Sequence, residues 1–143
     1  MTASTKRVGF TVAVAFAAAV ASAQAPQSRL AFSHALPPLD GGHAEVKVVE
    51  VTYAPGGSSA PHSHPCPVIG HVLEGALRMQ VKGEPEAIYK VGESFYEAPN
   101  GTHQVSANAS HTAPARFIAL FVCDHDTPLS VAAPETKSGG GKR

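Results

Sequence analysis

The chain has 143 residues, with 11 basic residues balanced by 11 acidic ones. That length argues for one domain. A balanced charge argues against a nucleic-acid or anionic-membrane surface, so the expected partner is a small molecule.

The N-terminus is read first as a targeting segment. Lys6 and Arg7 form a short positive region, Val8 to Val20 is apolar apart from Gly9 and Thr11, and Ala21-Ser22-Ala23 supplies small residues. This is the layout of a secretory signal peptide over residues 1–23, with cleavage after Ala23 favoured over Ala25 because Pro26 follows the latter. As a helix the apolar run reaches about 20 Å, short of a bilayer core of roughly 30 Å, which disfavours a membrane anchor. Removing Lys6 and Arg7 leaves 9 basic residues against 11 acidic, a net charge of −2. The mature protein is expected to be secreted or periplasmic, with no nucleic acid and no membrane as partner. In that oxidising setting Cys66 and Cys123 could bridge. Sequence cannot place their Cα atoms within reach, and two separate buried thiols are the favoured reading.

From Leu30 onward the pattern is of short strands between turn residues. Leu30 to Leu36 reads as a modest first strand, ended by Pro37-Pro38 and Asp40-Gly41-Gly42. Ala44 to Tyr53 is β-rich, and its alternation slips between Val48 and Val49, which hints at a bulge. Pro55-Gly56-Gly57 closes it. Val68 to Leu73 is apolar apart from Gly70 and His71, and Glu74-Gly75 makes a tight turn. Leu77, Met79 and Val81 then alternate with Arg78, Gln80 and Lys82, a half-buried strand. Further strands are expected over Ala87 to Val91, Ser94 to Ala98, Thr102 to Ala107 and Arg116 to Cys123. A turn signal every eight to twelve residues points to an all-β sandwich or barrel. The domain is placed at residues 30–127. The Ala-, Pro-, Ser- and Gly-rich stretch 128–143 is read as a disordered tail.

The segment Gly56 to Gly75, GGSSAPHSHPCPVIGHVLEG, carries the chemistry. His62 and His64 stand two residues apart, so in a strand both imidazoles face the same way. His103 follows the Pro99-Asn100-Gly101 turn. Three imidazoles brought together suit a first-row transition ion. The competing reading makes them ordinary loop histidines. Glu97, on the strand leading to His103, is the nominee for general base. It could also serve as a carboxylate ligand, or be a half-exposed, hydrogen-bonded glutamate. Cys66 as a thiolate ligand is disfavoured by the stiff Pro65 and Pro67 around it. His71 is read as packing or surface, and His34, His43, His111 and His125 receive no role. Phe95 and Tyr96 are read as core rather than substrate contacts, with one of them expected to face the cavity.

These residues resemble the two motifs of the cupin superfamily. Gly56, His62, His64 and Gly75 match the first motif, G-x5-H-x-H-x3-E-x6-G, and Gly92, His103 and Asn108 match the second, G-x5-P-x-G-x2-H-x3/4-N. The likeness covers 56–108 and extends with its flanking strands to about 30–124. It implies an all-β double-stranded β-helix, a jelly-roll barrel, with a metal at His62, His64 and His103. Two departures stand out. Val68 occupies the position of the family's metal-binding glutamate, and the second motif's proline and glycine sit one step along, as Pro99 and Gly101. An ion held by three neutral imidazoles would keep its full +2 charge, and small residues at Val68 and Gly70 would leave room for an organic ligand. Three imidazoles suit one divalent Fe, Zn, Mn, Ni or Cu ion, and the resemblance implies a homodimer formed through edge strands. By this reading the protein is a small-molecule metalloenzyme of dioxygenase-like or isomerase-like type. The alternative is a non-catalytic periplasmic module that binds a small ligand or a metal.

Overall fold

The computed structural model describes residues 28–134, so the expected signal peptide and the stretch 135–143 lie outside the described residues. Nine strands follow one another: β1 Glu45–Tyr53, β2 His62–Ser63, β3 Val68–Glu74, β4 Ala76–Val81, β5 Ala87–Lys90, β6 Ser94–Glu97, β7 Thr102–Asn108, β8 Ala115–Cys123 and β9 Val131–Ala132. They build two antiparallel sheets, ordered β1-β8-β3-β6 and β5-β4-β7-β2-β9. The fold is thus all-β and consistent with a double-stranded β-helix.

Strand β8 shows why the sheets close on one core. Ala115, Phe117, Ala119, Phe121 and Cys123 are buried and alternate with half-buried residues. A period of two sends alternate side chains to one face. Together with Tyr53, Val68, Val72, Leu77, Met79 and Phe95 they make the core cluster. Gly70 is part of this packing. A Cβ there would lie 2.0 Å from the Phe95 ring, because Gly70 and Phe95 are paired across β3 and β6. The room expected above Gly70 is therefore filled by an aromatic ring. Gly75 joins β3 to β4 at φ +69°, a left-handed turn in which a Cβ would meet the Pro114 carbonyl at 2.5 Å.

The structure departs from the sequence reading at several places. Leu30 to Leu36 forms no strand; Leu30 is 83% exposed, and the segment is held by His34 stacking on Tyr96 at 3.6 Å between ring centroids. Strand β1 pairs with β8 without a register break from Glu45 to Tyr53, so the apparent slip is no bulge. Lys47, not Val46 or Val48, shares the inward side of β1 with Val49, Val51 and Tyr53, and the two outward valines remain exposed. The bulges lie elsewhere, between Val72 and Glu74 on β3 and opposite Gln80 and Val81 on β7.

Cys66 and Cys123 form a disulfide with their Cα atoms 5.1 Å apart, overturning the expectation of two separate thiols. The reason is register. Val68 pairs with Phe121, and continuing that pairing by two residues sets Cys66 opposite Cys123. A bond from Val122 N–H to the Pro67 carbonyl holds this continuation. The stretch after Pro128 is also partly ordered: β9 pairs with β2, and Leu129 packs against the core. Short as they are, β2 and β9 carry no hydrophobic alternation from which they could be foreseen.

Candidate metal centre

The site is assembled at the junction of the two sheets. His62 on β2 pairs directly with His103 on β7. Residues directly opposite in an antiparallel pair have adjacent side chains on the same face. His64 follows from the end of β2, and its carbonyl accepts a bond from Asn100 N–H at 2.7 Å. Asn100 takes φ +63°, so the turn before His103 is pinned to the segment that carries the histidine pair. The ring centroids of His62 and His64 lie 4.8 Å apart, those of His62 and His103 5.4 Å, and those of His64 and His103 5.8 Å. All three predicted histidines therefore come together.

Glu97 joins them. It lies on β6 directly opposite Val68, the position at which the expected carboxylate is missing. Facing neighbours in a sheet share a side, so Glu97 presents a carboxylate to the space that a residue-68 carboxylate would address, from one strand away. It is buried, which corrects the picture of a half-exposed, hydrogen-bonded glutamate. Its Oε2 lies 3.3 Å from His64 Nε2 and 3.2 Å from His103 Nε2. Neither approach is aligned as a hydrogen bond. Glu97 Oε2 and both ring nitrogens of His103 are buried without a hydrogen-bond partner.

Tautomers sharpen this observation. His62 Nδ1 lies 2.8 Å from the Ala60 carbonyl and His64 Nδ1 lies 2.5 Å from the Leu129 carbonyl. A carbonyl can only accept, so each Nδ1 carries the proton and each neutral ring keeps a lone pair on Nε2. His64 Nε2 then faces Glu97 Oε2 with a lone pair on each side. Burial pushes the His64 pKa below its ordinary 6.5, against the raising influence of the Leu129 carbonyl and Glu97, which favours the neutral ring. Two acceptors face each other in a buried place, an arrangement that a shared proton or a metal cation between them would relieve. Ligands about 2.0–2.2 Å from one ion stand roughly 3.0–3.5 Å from each other at tetrahedral or octahedral angles, which is the separation found here. Among the described residues no group of three or more His, Cys, Asp or Glu side chains has the full geometry of a metal cage as it stands. The approach is pairwise, of two imidazoles to one carboxylate oxygen, with His62 beside them.

A cavity of about 80 Å³ adjoins this cluster. His62, His64 and Glu97 line it together with apolar Val49, Val51, Met79, Phe117, Ala119 and Phe121, and with the hydroxyls of Tyr53, Ser59 and Ser106. Phe95, packed on Gly70, belongs to the core as expected; neither it nor Tyr96, beneath His34, lines the cavity, where one of the two was expected. Sequence reasoning missed the three hydroxyl residues. Ser106 stands three residues from His103, an odd spacing that puts two side chains on opposite faces of a regular strand. The β7 bulge changes this: Met79 pairs with Ser106 and Val81 with His103, so Gln104 is the extra residue and both His103 and Ser106 are buried. The remaining histidines keep their distance. His71 bonds Ser94 Oγ at 2.8 Å, and His125 contacts Asp124. Cys66, being bridged, has no thiolate to offer a metal.

Residues 49–122 match the cupin domain family, Cupin_2. No curated protein sequence matches the chain significantly. Among solved structures it is similar to a cupin-like protein of Thermotoga maritima, with 24% identity and a TM-score of 0.55 over 65% of this chain and 68% of that one. It is similar to an oxalate oxidase solved with the substrate analogue glycolate, at 28% identity and a TM-score of 0.53 over 66% of this chain and 49% of that one. A third likeness is to Bacillus subtilis oxalate decarboxylase, studied for its Mn(II) centres, at 24% identity and a TM-score of 0.53 over 61% of this chain. The chain spans only 23% of the decarboxylase and less than half of the oxidase. These neighbours share the fold at low identity.

Proposed function

We propose that this chain, which belongs to the cupin family, is an exported small-molecule metalloenzyme holding one divalent transition ion at His62, His64 and His103, with Glu97 as a fourth ligand. The observation that carries the reading is Glu97 Oε2, buried without a hydrogen-bond partner and 3.2–3.3 Å from two imidazole nitrogens. This assigns Glu97 to holding the ion rather than to proton transfer, the role first nominated for it. A carboxylate among three neutral imidazoles lowers the net charge of the loaded site from +2 to +1, in place of the +2 expected when position 68 alone is considered.

His62, His64, His103 and Glu97 would hold the ion, and the chemistry it would supply there is Lewis acidity toward a ligand oxygen. The chain's own residues do the rest. The Ala60 and Leu129 carbonyls fix the His62 and His64 rings with Nε2 turned inward. Phe117, Phe121, Val49 and Val51 supply an apolar wall to the adjoining cavity, and a low-polarity wall strengthens the electrostatic contacts beside it. The cavity is about 80 Å³, whereas an apolar cavity of about 150 Å³ is one that accommodates benzene. The substrate is accordingly a short aliphatic molecule and not a phenol. Imidazole-rich donor sets suit Fe, Mn, Ni, Cu or Zn, and affinity order outside the cytoplasm favours Cu or Zn. The disulfide supports an oxidising compartment, and with it export by the N-terminal segment.

A non-catalytic periplasmic binder would use the same residues, and the small cavity is the observation that favours it. Elemental analysis of the exported protein tests the metal, and oxygen uptake or conversion of short carboxylic acids by loaded protein tests the enzyme. Near one equivalent of a first-row metal, lost in a His62→Ala, His64→Ala double variant, is expected. Full metal in that variant rejects the site, and metal without turnover favours the binder.

A further inference from the structure

We infer that Tyr53, Ser59 and Ser106 form the recognition end of the cavity and donate a hydrogen bond to a small carboxylate whose other oxygen faces the histidines. This inference rests on the metal reading above. Tyr53 is 8% exposed and its Oη lies 2.5 Å from Ser59 Oγ and 2.9 Å from Ser106 Oγ. Three hydroxyls carry three protons, and these two contacts use two of them. Among the described residues neither serine hydroxyl makes another hydrogen bond. Either hydroxyl of each contact can donate; in the order inferred, Ser59 to Tyr53 and Tyr53 to Ser106, the spare proton sits on Ser106, which is buried. All three residues line the same cavity as His62, His64 and Glu97.

Two structural devices bring this cluster to the site. The Gln104 bulge on β7 turns Ser106 inward alongside His103. Ser59 N–H bonds the Ser106 carbonyl at 2.9 Å, so the segment that runs on to His62 is anchored beside Ser106. The same cavity is walled by Met79, Val49, Val51 and Phe117. A ligand here has hydroxyl groups, apolar side chains and the histidine–glutamate cluster on one shared lining. The volume of about 80 Å³ corresponds to roughly two or three water molecules of liquid. Acetate and glycolate are of that size. An anion is selected only when the ion is present, because the Glu97 carboxylate otherwise repels it.

The test is calorimetric titration of acetate into the full mature chain, with and without Zn(II), with acetamide as the neutral comparator. Acetate is expected to bind the Zn-loaded protein, more tightly than acetamide, and not the metal-free protein. Ser106→Ala is expected to weaken acetate at least about tenfold, the scale of one hydrogen bond to a charged group, and Tyr53→Phe, which leaves Ser106 without its orienting donor, to weaken it by less, with Zn(II) stoichiometry unchanged in both. Ser59→Ala, on an exposed loop, provides a variant that spares the core and is expected to weaken acetate in the same sense. Zn(II) uptake with no acetate binding, or equal acetate affinity in all three variants, overturns this inference and leaves the metal centre standing. Failure of the wild-type chain to take up Zn(II) overturns both.

Discussion

Replacing Glu97 by glutamine separates a metal ligand from an ordinary ion-pair partner. Glu97 Oε2 faces two imidazole nitrogens at 3.2 and 3.3 Å without an aligned hydrogen bond. An amide at that point brings an N–H donor to the His64 Nε2 lone pair, which lacks one. At about 0.5–1.5 kcal/mol for that hydrogen bond, the metal-free variant gains roughly that amount. For a domain of this size 1 kcal/mol moves the melting temperature by about 4–8 °C, so a rise of at least about 2 °C is expected. The response to metal runs the other way. An ion at 100 times its dissociation constant adds about 2.7 kcal/mol to wild-type stability, and loss of the anionic ligand reduces that increment. Differential scanning calorimetry with chelator and with excess Zn(II) measures both quantities. A metal-free Glu97→Gln protein that melts lower than wild type, with an unchanged Zn(II) increment, would show that Glu97 pairs with a protonated histidine and holds no ion.

Further outcomes follow from the same geometry. Cys123→Ser opens a bridge between residues 57 positions apart; by loop entropy this costs about 4 kcal/mol, read as a lower urea midpoint, and an unchanged midpoint would contradict the bridge. Gly70→Ala drives a methyl into the Phe95 ring, with three ring atoms at 2.0–2.4 Å; overpacking of this kind costs about 1–3 kcal/mol, and neutrality in thermal melts would contradict the packing described. The lowered His64 pKa sets a pH dependence. Between the folded value and the ordinary 6.5 the unfolded chain binds more protons, so this contribution is complete above pH 6.5 and is lost as pH falls through the folded pKa. Urea midpoints of metal-free protein should decline below pH 6.5, and His64→Asn should flatten that decline; an equal slope in both proteins would contradict it.

Much of the fold was legible because its signals are local. Alternation in 77–82 and 116–123 and the turn residues at Gly56, Gly75 and Gly92 lie within a few positions of what they determine. The nearness of His62, His64 and His103 was legible too, through motif spacing. What escaped depends on register. Val68 and Glu97 are 29 positions apart, and only the β3–β6 pairing sets them face to face. The Cys66–Cys123 bridge depends in the same way on the β3–β8 pairing. Ser106 was hidden by a bulge that inverts the inward parity of β7, and the Leu129 carbonyl by a segment whose composition reads as disorder. Leu30 to Leu36 shows the reverse error, in which apolar residues suggested a strand although nothing pairs with them among the described residues.

The most direct measurement is X-ray absorption at the metal edge of the Zn(II)-loaded protein. Three imidazoles and one carboxylate oxygen should appear, with scatterers at about 2.0–2.2 Å, and Glu97→Gln should alter the oxygen shell while the imidazole signal persists. A shell of water oxygens alone, or one containing sulfur, would contradict a centre built from His62, His64, His103 and Glu97.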